Sequence, residues 1–99
     1  MNTIKDQDLS KNQQLLRNIV LHAVDQANFT IRNLAKRPTV VMLMECENCL
    51  TDFMPVIKLI ADEHIEFAPV YDQMAMALDA AQVHGEPELI DLDGGAAYE

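Results

Sequence analysis

Thr39-Val40-Val41-Met42-Leu43-Met44 is almost wholly apolar and opens with β-branched residues. It leads straight into Glu45-Cys46-Glu47-Asn48-Cys49, which holds the only two cysteines of the chain. A run with no polar face suits a strand buried on both sides, as in the middle of a partly parallel sheet. The Cys-x-x-Cys pair would then stand where that strand ends and the next helix begins.

Working outward from this run, the pattern predicts further elements. Leu16, Ile19, Val20, Ala23, Val24 and Ala27 recur at helical spacing, so a helix is expected over 10–27 with Ser10 as its cap. It is expected to break near Asn28, to resume through Ile31, Leu34 and Ala35, and to close before Pro38. Residues 49–64 read as a second helix with the stripe Leu50, Phe53, Val56, Ile57, Ile60 and Ala61, kinked by Pro55. Ile65 to Tyr71 reads as a second strand, and residues 73–83 as a helix ended by Gly85. Glu88-Leu89-Ile90-Asp91-Leu92 alternates like a third strand before the turn signal Asp93-Gly94-Gly95. The order α-β-α-β-α-β, with a helical crossover between the first two strands, implies an α/β layered domain.

A chain of 99 residues is expected to form a single domain, 1–99, with residues 1–8 frayed. Apolar residues make up 49% of it, which excludes global disorder. No signal peptide is visible and no apolar run is long enough to span a membrane, so a cytoplasmic location is expected. Thiols there are mostly reduced, which disfavours a structural disulfide. The charge is uneven. Residues 1–37 carry Lys5, Lys11, Arg17, Arg32, Lys36 and Arg37 against three Asp, a net +3, whereas residues 38–99 carry Lys58 against thirteen acidic residues, a net −12. Such a half repels phosphate, so nucleic acid is not an expected partner.

At this point the residues resemble a known family. Pro55 to Gln73, PVIKLIADEHIEFAPVYDQ, is similar to the thioredoxin pattern of a Pro-kinked helix leading into a strand that ends in Asp. Val83 to Gly95, VHGEPELIDLDGG, resembles the thioredoxin segment that carries a cis-proline. The resemblance covers about residues 28–95 and implies a three-layer domain with a mixed central sheet, strand 39–45 at its centre. It also implies Cys46 as attacking thiol, Cys49 as resolving thiol, and a substrate platform at Pro87 with Glu86 beside it. Several features depart from the family. There is no Trp before the first cysteine, Glu47-Asn48 stand between the two, and Glu88 replaces the usual Thr. The family's last strand and helix have no counterpart before Glu99, and helix 10–27 is expected to cover the face they would shield.

A thiol reacts as its thiolate. A helix N-terminus would favour that anion by about 0.3–1 kcal/mol. Each of the carboxylates Glu45, Glu47 and Asp52 would oppose it by about 2 kcal/mol or less. The expected Cys46 pKa is therefore not far below that of a free thiol, giving a slow or strongly reducing dithiol.

The function expected from these residues is thiol–disulfide exchange with a protein substrate. The alternative is a redox-inactive, acidic protein-interaction module, with a homodimer as one arrangement. No cofactor or metal is expected: the pair supplies two of the four ligands of structural zinc, and His22, His64 and His84 are scattered. The methionines read as core filler. A helix-turn-helix fold is a rival, but TVVMLMECEN lacks side chains that read bases.

Overall fold

The computed structural model describes the backbone of residues 2–92 and the side chains of residues 11–92. Three helices account for most of it: α1 over Asn2–Lys36, α2 over Val40–Glu63 and α3 over Ala68–His84, with a short 3₁₀ turn at Ile65–Phe67 between the last two. Residues 86–92 follow α3 as a strap outside regular secondary structure. No strand occurs among the described residues. The expected α/β, thioredoxin-like sheet is therefore corrected to an all-helical architecture.

Each of the three expected strands went another way for a physical reason. Thr39 is extended, and its hydroxyl accepts the Met42 N–H at 3.1 Å, so it caps a helix instead of opening a strand. An apolar run of this length does not by itself distinguish strand from helix. Once Thr39 caps it, the modest helix penalty of Val40 and Val41 is overruled. Ile65 to Tyr71 is divided between the 3₁₀ turn and the start of α3, where Pro69 occupies the first turn. Proline suits that place, because its missing N–H would have had no intrahelical partner there. Residues 88–91 form no strand, and Leu92 lies in a turn, so the expected third strand is corrected as well. No cis peptide bond occurs among the described residues, so the expected cis-proline at Pro87 is also corrected.

The helix predictions fared better. Residues 10–27 lie within α1, residues 49–63 of the second expected helix within α2, and 73–83 within α3. Gly85 ends α3 with φ of 70°, a left-handed backbone that glycine adopts without strain. The break expected near Asn28 does not occur. Helix α1 runs through it, from Asn2 to Lys36.

The core is built on α2, which packs on both α1 and α3, while α1 and α3 scarcely touch directly. Val20, Ala23, Val24, Ala27, Ile31 and Leu34 face inward from α1, and Cys46, Leu50, Ile57 and Ala61 from α2. Val70, Met74 and Ala77 complete it from α3, with Phe67 from the turn and Ile90 from the strap. Short side chains on α1 and α3 let the helices approach α2 closely. Each fully buried Leu, Ile or Val contributes about 1.5–3 kcal/mol. Residues 11–15 of α1 are all exposed, and the inward-facing stripe of the helix begins after them. No helix among the described residues is long and apolar enough to cross a membrane.

The helix-turn-helix rival required this lack of strand. Its other requirement is not met, since α2 opens with Val40, Val41, Met44 and Glu45 in place of base-reading side chains.

Leu50 is fully buried at the centre of α2. Leu50→Ala should lower the unfolding free energy by about 2–5 kcal/mol, read from the urea midpoint. A loss under about 1 kcal/mol would contradict this packing.

Candidate functional site

The two cysteines lie inside α2, not at its start. Cys46 is the seventh residue of the helix and is buried, and Cys49 is the tenth and half-buried. Both thiols are free, so a disulfide between them is not part of the fold. Residues three apart on a helix keep their Cβ atoms about 5–6 Å apart, whereas a disulfide brings them to about 3.5–4.5 Å. Closing the bond would require this turn of α2 to unwind.

Burial pushes both thiols up. For Cys46 the dominant cause is desolvation, Thr30 on α1 partly offsets it, and the Glu47 carboxylate adds a smaller push. For Cys49 desolvation again leads; Cys46 and Asp52 reinforce it, and Thr30 partly offsets it. The Thr30 hydroxyl donates to the Ala27 carbonyl at 2.7 Å, which limits its help to a thiolate. The sequence placed the Cys46 pKa close to that of a free thiol with carboxylates as the cause; the structure raises it, with burial as the main cause. The helix dipole gives little help, because its effect is spent within the first turn.

Glu86 and Pro87 stand elsewhere, on the strap. The strap is held by two side-chain amides. The Asn28 carboxamide donates to the Ile90 carbonyl at 2.8 Å and accepts the Ile90 N–H at 2.7 Å. The Gln73 carboxamide donates to the Asp91 carbonyl at 2.8 Å and accepts the Asp91 N–H at 2.8 Å. Each amide presents one donor and one acceptor side by side, as a neighbouring strand would. The Ile90 side chain, 4% exposed, enters the core.

Held in this way, the strap forms one wall of a groove along α3, of about 540 Å³. Ala75, Met76, Ala80 and Leu89 give it an apolar lining, and Asp79, Glu86 and Glu88 give it acidic groups. Neither cysteine nor Pro87 lines it, whereas Glu86 does. His84 lines the groove, His22 packs edge-on against Phe53, and His64 ends α2. No cluster of three potential metal ligands occurs among the described residues.

The sequence reading missed Asn28 and Gln73. Asn28 carried a signal: a polar side chain between Ala27 and Ile31 in an apolar stripe is either a break or a buried hydrogen-bonding group. Gln73 carried none, since its partner lies 18 residues away.

Comparison with known proteins finds no matching family model, no similar curated protein and no similar solved structure.

Two outcomes are expected. Asn28→Ala strands the buried Ile90 backbone, so stability should fall by about 1–3 kcal/mol and amide exchange at Ile90 and Asp91 should quicken; unchanged exchange there would rule out the clamp. For the thiols, a folded pKa above the unfolded value of about 8.5 means that the unfolded chain ionises first. Their stabilisation is complete below about pH 8.5 and is lost as pH rises toward the folded values. Between about pH 8 and 10 the urea midpoint of the native chain should fall more steeply than that of C46A/C49A, and equal slopes would refute the assignment.

Proposed function

We propose that this chain is an acidic helical protein-interaction module, whose groove along α3 takes a basic segment with an apolar face. The observation that carries this reading is the groove itself: apolar side chains with Asp79, Glu86 and Glu88 among them. Its volume, about 540 Å³, lies within the usual range for binding clefts. The net charge of −9 repels acidic partners and speeds encounter with basic ones. Met76, Val83 and Leu89 stay exposed on α3 and the strap, a cost that a docked apolar face would relieve. The dithiol does not support an exchange reaction equally well, because a buried thiol held neutral is a poor nucleophile.

The test uses a fluorescent amphipathic peptide with Leu and Lys at i, i+4 spacing, titrated into the native chain. Saturable binding is expected that weakens as salt is raised and is lost in Ala80→Glu or Leu89→Glu. Binding that ignores both substitutions would sink the groove as the site.

A further inference from the structure

We infer that the groove along α3 is filled by a second copy of this chain, docked through the corner where α1 meets α2. The inference rests on the reading of the groove given above and names its occupant.

The corner has the complementary chemistry. Val40, Val41 and Met44 open α2 with 72%, 60% and 55% of their surface exposed. At helical spacing, i, i+1 and i+4, they form one apolar knob. Lys36 and Arg37, at the end of α1, line a hollow with Met42 of the same turn; both are exposed and in no ion pair among the described residues, and one exposed carboxylate, Glu45, follows Met44. The groove offers the counterpart: an apolar lining with Asp79, Glu86 and Glu88, likewise in no ion pair among the described residues. Two cations beside an apolar knob would thus face the three anions around an apolar hollow.

The same charges disfavour both self-pairings. Corner on corner would crowd the cations together, and groove on groove the anions. Of these three pairings corner into groove alone brings opposite charges together, so the contact joins two different surfaces. The Thr39 cap and the strap clamp order both surfaces before they meet, which lowers the entropy lost on docking.

Sedimentation velocity of the full chain at low and high salt tests this, with circular dichroism confirming that every variant stays helical. The native chain should self-associate at low salt, and at least about tenfold more weakly at high salt. K36E/R37E, with its corner made acidic, and E86K/E88K, with its groove made basic, should each sediment as monomers. Mixed one to one, the two should associate, because the acidic groove of the first meets the basic corner of the second, and the basic groove meets the acidic corner. A native chain that stays monomeric while the amphipathic peptide still enters its groove would overturn this inference and leave the interaction reading standing. Native self-association that either charge reversal leaves intact would assign it to another surface and overturn the inference as well. Failure of both self-association and peptide binding would remove both.

Discussion

Two carboxamides, Asn28 on α1 and Gln73 on α3, do for the strap what a neighbouring strand does in a sheet. A segment outside regular secondary structure cannot satisfy its own backbone groups, and burying them unpaired is costly. Ile90 can enter the core because its N–H and C=O are both met by Asn28. Helices α1 and α3 scarcely touch, so the strap is also the piece that ties them together across its two clamps. The groove follows from the same arrangement. Without a fixed strap, α3 would present a flat face, and Glu86 and Glu88 would not stand beside Met76 and Ala80.

The distribution of apolar surface follows from the choice of α2 as the central helix. Two neighbours bury one broad stripe of it, from Cys46 to Ala61, and leave the opposite face open. The apolar run at 40–44 lies mostly beyond that stripe. A strand at the centre of a sheet would have hidden it; the first turn of a helix at the corner of a bundle exposes it. Exposed Val40 and Val41 therefore follow directly from the change of secondary structure, and they leave the acidic chain with one apolar, basic corner.

Much of the helical structure was legible in the residues. The stripe from Val20 to Leu34, the stripe from Leu50 to Ala61 and the stop at Gly85 all follow from periodicity and backbone preference, which act locally. The strands were misread where a local pattern had two physical solutions. TVVMLM fits a buried strand or a capped helix, and the Thr39 hydroxyl decided between them. PVYDQ fits a strand or the first turn of a helix, and Pro69 signalled the latter. ELIDL alternates like a strand, and Ile90 is buried while Leu89 is exposed, but it pairs with no strand and its partners are side chains from distant parts of the chain. The clamp joins Asn28 to Ile90 across 62 residues, a separation at which a single sequence carries no periodic signal. The candidate site was legible only at Glu86.

The cysteine pair shows how far one capping residue reaches. A Cys-x-x-Cys at the mouth of a helix is exposed, feels the positive end of the dipole and can close with little strain. The same pair placed two to three turns in is buried at Cys46 and half-buried at Cys49, feels almost none of that field and is held too far apart to close without unwinding the turn. The sequence of the motif is identical in the two cases; only the starting point of the helix differs. Thr39 sets that starting point. By starting α2 at Val40 instead of at Cys49, it places Cys46 in the core and Cys49 at its edge, away from the positive end of the helix.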